Sequence, residues 1–164
     1  MANTKTQQLQ IRVTPEQKST LARLARRAGQ DVSSFVLSRV LPSAALHFAE
    51  ILKALGEADR QRFALAELND LLAGLAPREL AEVTGHADLS GLSPYLQNYV
   101  AAMVELAAHQ KRVAPPAWLR EIAPLEEPHF AAKLEGLRLH LLGASPVPFR
   151  RRNLFVDSSV GDRV

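Results

Sequence analysis

Residues 8–17 read QLQIRVTPEQ, and this stretch decides the fold. Its first six residues alternate polar and apolar side chains, which predicts a half-buried strand. The apolar face of that strand carries Leu9, Ile11 and Val13. Thr14 is suited to cap a helix, Pro15 suits its first position, and Gln17 completes a capping box. The stretch therefore predicts a strand that leads directly into a helix.

Two helices follow the predicted strand. The first spans Glu16 to Ala28 with apolar residues at helical spacing, and Gly29 stands where a left-handed helix terminus is expected. Ser33 is suited to cap a second helix. The apolar residues of that helix are Phe35, Val36, Val40 and Leu41. The predicted order is strand, helix, turn, helix.

A strand without a neighbour in its own chain needs a partner, because its backbone groups are otherwise unpaired. A second copy of the chain would supply one. With this order of elements, residues 5–41 resemble the ribbon-helix-helix family, whose two chains pair their strands into an antiparallel ribbon in the major groove of double-stranded DNA. The resemblance implies a homodimer that binds an operator. The resemblance says nothing about the rest of the chain, where apolar residues at helical spacing and then clustered prolines continue the pattern. Together they predict a mainly α fold class: an N-terminal ribbon-helix-helix module, an α-helical region and an irregular Pro-rich C-terminal tail.

The resemblance assigns DNA contacts to particular residues. In that family the outward side chains of the strand read bases, and arginine and glutamine match the edges of guanine and adenine. The corresponding residues here are Gln8, Gln10 and Arg12. Backbone N–H groups at the start of the second helix hold a phosphate in the family. These map onto Val32, Ser33 and Ser34. Asp31 departs from the pattern, because its carboxylate repels a phosphate unless it caps the helix.

Apolar residues that face the partner chain are expected to form the core of the dimer. They are Leu9, Ile11, Val13, Leu21, Leu24, Phe35 and Val36. Arg26 and Arg27 are expected to contact phosphates. The alternative is that the strand is a solvated sheet edge and that the arginines lie on a solvated helix face.

Charge is unevenly distributed along the chain. Residues 1–41 hold seven Lys and Arg against two Asp and Glu, a net charge of +5, whereas residues 42–112 have a net charge of −3 and residues 113–164 of +1. The whole chain has a formal net charge of +3. Positive charge at the proposed DNA-binding end is expected of a phosphate-binding module, while the modest total argues against a general polyanion binder.

The chain is predicted to have three segments. Residues 1–41 form the DNA-binding and dimerisation module, residues 42–112 an α-helical domain, and residues 113–164 a Pro-rich segment with one helix and a basic, apolar tail. Six of the ten prolines lie within residues 113–148, which prevents long helices there. We interpret the apolar stripes of residues 42–112 as core or dimer contacts and not as a cofactor pocket.

The tail joins a basic triplet to an apolar run. Its residues are Arg150, Arg151, Arg152, Leu154, Phe155 and Val156. Arginines pair with carboxylates or phosphates, and an apolar run adds a strand or fills a groove, so we expect this tail to bind a protein partner. Two alternatives are that the tail folds back on the chain's own helices and that its arginines make a second DNA contact.

The sequence carries no motif for catalysis. Its five histidines lack the spacing of a metal site, and it contains neither a nucleophile elbow nor a glycine-rich phosphate loop. We therefore predict a protein that is not an enzyme, with no catalytic residues, no metal and no cofactor. Because cysteine, a signal-peptide core and a long apolar run are all missing, we expect a soluble, cytoplasmic protein with no membrane partner.

Ribbon-helix-helix modules with a C-terminal extension resemble the bacterial antitoxins of toxin–antitoxin systems. The resemblance implies a sequence-specific transcriptional repressor that regulates its own promoter and whose C-terminal region binds a toxin. One alternative is a ligand-sensing or self-assembling transcriptional regulator without a toxin. Another is a dimeric adaptor that does not bind DNA.

Overall fold

The computed structural model describes residues 10–40, 43–132 and 134–157. The chain divides into two compact units, Met1–Pro42 and Ser43–Val164, which we call unit 1 and unit 2. Unit 1 contains α1 (Pro15–Arg27) and α2 (Val32–Val40). Unit 2 contains α3 (Ser43–Leu55), α4 (Gln61–Gly74), α5 (Pro77–Thr84), α6 (Pro94–Lys111), a 3-10 turn (Ala117–Arg120), β1 (His129–Phe130), α7 (Glu135–Ala144), α8 (Val147–Arg150) and β2 (Leu154–Phe155).

Helix α1 begins where the capping box predicts. The Gln17 N–H donates to the Thr14 side-chain oxygen at 3.2 Å, and the Thr14 N–H donates to the Gln17 side-chain oxygen at 2.9 Å. After the last helical residue, Gly29 has a φ of 67°, a left-handed conformation that glycine adopts without steric cost. The chain therefore turns out of α1 toward α2 at this glycine.

Helix α2 is capped by a different residue from the one predicted. The Ser34 N–H donates to Oδ1 of Asp31 at 3.0 Å, so Asp31 caps the helix in place of Ser33. A carboxylate at the amino end of a helix is also favoured by the helix dipole. Because Asp31 precedes α2 directly, the helix begins at Val32, two residues earlier than a Ser33 cap would allow.

The predicted N-terminal strand is wrong. Residues 10–13 belong to no strand, and the described part of the chain offers them no strand with which to pair. The two strands that the described residues contain are β1 and β2, both in unit 2. Gln8 and Leu9 lie outside the described residues. The fold class is therefore mainly helical without the predicted ribbon-helix-helix module, because an alternating pattern becomes a strand only where a neighbour accepts its backbone hydrogen bonds.

Unit 2 is built around α6. Val100, Ala101, Ala102 and Val104 are completely buried, and these positions point in different directions around the helix axis. Helices α4, α5 and α8 pack against α6, and α3 packs against α4 and α5. A helix that is covered on all sides carries apolar or small residues on all sides, which is the pattern that α6 shows.

The predicted irregular C-terminal tail is also corrected, because residues beyond 112 share the core of unit 2. Leu119, Phe149, Leu154 and Val156 are buried in the same cluster as α6. Strands β1 and β2 pair in parallel, with His129 opposite Leu154 and Phe130 opposite Phe155. Prolines prevent long helices here, but they leave apolar side chains free to pack.

Among the described residues, no helix combines the length and the apolar character needed to cross a membrane.

Candidate nucleic-acid and partner-binding surfaces

Helix α1 presents a basic surface. Arg23, Arg26 and Arg27 are exposed on α1, and Arg12 is exposed just before the helix. Two shallow grooves run beside the helix and meet at Thr20: one is lined by Arg23, Arg26 and Arg27, and the other by Arg12. Arg23 and Arg27 are one helical turn apart, so their side chains lie on the same face. We call Arg12, Arg23, Arg26 and Arg27 the basic surface of unit 1.

The start of α2 differs from the predicted phosphate site. Of the three residues assigned there, Ser34 already donates its backbone N–H to the Asp31 carboxylate. Val32 and Ser33 are exposed beside the same carboxylate. A phosphate at this end would meet a negative charge, so the arginines of α1 are better placed to receive one than the start of α2.

Unit 1 also exposes apolar side chains. Of the seven residues predicted for a dimer core, Ile11, Val13 and Leu24 are exposed, Leu21 and Val36 are partly buried, and Phe35 is buried. The Arg39 guanidinium lies over the Phe35 ring at 5.4 Å from its centroid. Leu9 lies outside the described residues. The three exposed side chains remain uncovered by unit 1 itself.

The predicted partner-binding tail is divided between solvent and core. Arg150 and Arg151 are exposed, whereas Arg152, Leu154, Phe155 and Val156 are buried in unit 2. The rings of Phe130 and Phe155 stack with centroids 4.6 Å apart. This placement matches the alternative in which the tail folds back on the chain's own helices.

Arg152 ties together three separate segments of unit 2. Its Nη2 donates to the Leu119 carbonyl at 2.9 Å, and its Nη1 donates to Asn98 Oδ1 at 3.3 Å and to the Ile122 carbonyl at 3.4 Å. The Glu105 carboxylate lies 3.7 Å from Nη2. Burial lowers the pKa of the Arg152 guanidinium, and the nearby Glu105 carboxylate opposes that shift. Arg152 therefore organises the Pro-rich segment around α6.

A second exposed apolar surface, on α7, was not predicted as a site. The large apolar side chains exposed there and beside it are Leu134, Leu137, Leu139, Leu142 and Val147. The sequence pattern predicts one helix in the Pro-rich segment, without predicting that two of its faces are apolar. Leucines at positions 137, 139, 141 and 142 cannot all face one core, so their spacing in the sequence indicates that some of them are exposed.

In the part of the chain that the structure describes, no group of three or more His, Asp or Glu side chains is placed to hold a metal ion.

Comparison with known proteins gives one finding. Residues 8–70 match the family model described as Antitoxin TacA 1-like. Comparisons with curated proteins and with solved structures give no match. The matched region contains α1, α2, α3 and most of α4, and ends before α5. It points to an antitoxin family and to a regulatory role in place of a catalytic one.

Proposed function

We propose that this chain is an antitoxin that represses transcription of its own operon and captures a toxin protein. The observation that carries this proposal is the antitoxin family match over residues 8–70. The two tasks need two surfaces, one for DNA and one for a protein, and the chain has two compact units to supply them. We assign DNA binding to unit 1 and toxin capture to unit 2.

Charge supports the DNA-binding role of unit 1. Residues 1–41 carry a net charge of +5, and the arginines of the basic surface of unit 1 are exposed. Exposed arginines release condensed counterions when they neutralise phosphates, and this release supplies most of the affinity of a protein for double-stranded DNA. The electrostatic contribution predicts binding that weakens steeply as salt is raised.

Exposed apolar residues of unit 1 support self-association. Ile11, Val13, Leu24, Val32 and Val40 are all exposed in the single chain. Apolar clusters of this kind on a small unit mark interaction surfaces. We propose that two copies cover them, which would double the positive charge presented to DNA. Ile11→Asp should then shift the protein toward the monomer in sedimentation, and an unchanged sedimentation profile would contradict the proposal.

A gel mobility-shift assay with DNA from upstream of the gene tests the repressor role. The wild-type protein should shift this fragment at lower concentration than an unrelated fragment of equal length. The antitoxin role is tested by co-expression with the product of the adjacent open reading frame, which should bind the chain and be growth-inhibitory without it. A shift without this partner would favour a plain transcriptional regulator; a partner without a shift would favour an adaptor.

A further inference from the structure

Helix α7 has an outward face that the described residues leave uncovered. Leu141 faces the core and is 5% exposed, whereas Leu139 lies on the opposite side of the helix and is 76% exposed. Leu142 is exposed beside it. Gly136 and Gly143, three residues before and four after Leu139, lie on the same side, because residues at these spacings share a helix face. We call Gly136, Leu139, Leu142 and Gly143 the outward face of α7.

Isolated exposed leucines are common on protein surfaces and need no partner. Here they are concentrated. Of the twelve large apolar side chains that are exposed in the described part of the chain, five lie within residues 134–147. Five more lie in unit 1, so unit 2 has only Leu46 and Phe63 elsewhere. Unit 2 thus gathers most of its exposed apolar side chains at α7 and the residues beside it.

The two glycines are not required by the chain's own packing. A Cβ built on Gly136 or Gly143 meets no atom within 4 Å, and neither residue has a positive φ. Glycine is nevertheless the poorest helix former after proline, and α7 also lacks a side-chain cap at its amino end. An alanine at either position would fit the fold and favour the helix. What a glycine provides here is room for another backbone to approach closely.

The charges beside this face indicate what covers it. Arg138 is on α7 with its guanidinium over the Phe130 ring, 5.6 Å from the centroid, and the Arg150 guanidinium donates to the Leu142 carbonyl at 3.5 Å at the end of the helix. Glu135, the single acidic residue of α7, lies four residues before Leu139 and therefore on the same side of the helix, so the surface keeps an excess of one positive charge. A second copy packed on the same surface would bring four of these arginines against two glutamates, which like-charge repulsion disfavours. A different protein with carboxylates around an apolar groove would be attracted.

We propose that the outward face of α7 is the surface that binds the toxin, and that the toxin presents an apolar groove with an acidic rim. This inference rests on the proposed function and adds its location and chemistry. Leu139 and Leu142 enter the groove, the two glycines allow the groove wall to approach the helix, and Arg138 and Arg150 pair with the acidic rim.

The test uses the full-length chain co-purified with the product of the adjacent open reading frame. Leu139→Asp should weaken that complex at least tenfold. Phe63→Asp is the matched control, because Phe63 on α4 is 80% exposed and lies outside the proposed face. The affinity of this variant for the partner should stay within twofold of that of the wild type. Gly143→Ala should leave the melting temperature unchanged or raise it, yet weaken the complex several-fold, which a purely structural role would not produce.

The possible outcomes are distinguishable. If the wild type binds the partner and Leu139→Asp binds equally well, the α7 surface is wrong and the antitoxin proposal stands. If the wild type does not bind, the toxin-capture role fails and this inference fails with it. If Leu139→Asp instead abolishes self-association, or abolishes binding to phosphatidylcholine–phosphatidylserine vesicles, the occupant is a second copy or a lipid surface, and either result overturns the proposal.

Discussion

At Arg152, a single buried guanidinium joins parts of unit 2 that are far apart in sequence. Arg152→Met should lower the free energy of unfolding by about 3–5 kcal/mol, because the Leu119 and Ile122 carbonyls, the Asn98 side chain and Glu105 all lose a buried cationic partner. Denaturant unfolding followed by circular dichroism measures this change.

The neighbouring arginine is the control for that prediction. The Arg151 side chain is 67% exposed, and its Nη1 lies 3.6 Å from Oε1 of Glu105. Arg151→Met should therefore change the free energy of unfolding by less than about 1 kcal/mol. Equal effects of the two substitutions would show that Arg152 is not the organising contact described above.

Tyr99 provides a pH-dependent prediction at the same scale. Burial, with a smaller contribution from Tyr95, raises the pKa of Tyr99 from 10.0 to about 12. Below pH 10 the phenol is neutral in both folded and unfolded chains, but between pH 10 and 12 the unfolded chain ionises first. Stability should therefore fall across this range, by about 2–3 kcal/mol from this residue. Melting temperatures measured against pH should fall less steeply for Tyr99→Phe than for the wild type.

Among the helices, the one that contacts DNA in our proposal is α1. Replacing both Arg23 and Arg27 by alanine should reduce the slope of log affinity against log salt by about 2 for each chain, and so by about 4 for two copies on one operator, because each lost phosphate contact removes about 0.9 of a counterion. The matched control is the double substitution Arg62→Ala and Arg78→Ala, which removes two exposed arginines from unit 2. Mobility shifts over a series of salt concentrations measure the slope for each variant. Equal slopes for the two double variants would show that α1 does not contact the DNA.

Helices were predicted better than any other element, because their signals are local. The Thr14 capping box depends on residues that are close in sequence, and the structure places it as expected. Pro77 at the start of α5 and the Ser93 cap of α6 are local signals of the same kind. Phe63 lies within the apolar stripes of residues 42–112 but is exposed, since periodicity does not say which face of α4 meets the core.

The predictions of the N-terminal strand and of the C-terminal tail were wrong because both structures depend on residues that are far apart in sequence. An alternating pattern at residues 10–13 says which side chains share a face, but a strand also needs a neighbour, and no local signal supplies one. Likewise, nothing near Arg152 in the sequence shows that its acceptors are at Asn98, Leu119 and Ile122. The outward face of α7 was missed because exposure is a property of the packed molecule.

For the whole molecule, the two units should respond differently to truncation. Removing residues 149–164 takes Phe149, Leu154 and Val156 out of the core of unit 2. A large apolar side chain lost from a core costs about 2–5 kcal/mol, so three such losses cost about 6–15 kcal/mol, which is as large as the about 5–15 kcal/mol that stabilises most domains. The cooperative thermal transition of unit 2 should disappear. Residues 43–164 expressed alone should keep it.

A truncated chain that melts like the wild type would contradict this assignment of the C-terminal residues to the core. The single tryptophan, Trp118, offers a second readout, because its indole N–H donates to the Thr84 carbonyl at 2.7 Å inside unit 2. Its fluorescence should shift toward that of a solvated indole in the truncated chain and stay unchanged in residues 43–164.

The position of Val156 in the core has a consequence for synthesis on the ribosome. The central helix α6 is complete at Lys111, yet the core that it shares extends to Val156, which is 45 residues later. At a translation rate of about 5–20 residues per second, α6 waits roughly 2–9 s for its last neighbours. During that interval the apolar sides of α6 are open to chaperones and proteases. Unit 1 does not share this exposure, because all of its residues have been synthesised before unit 2 begins.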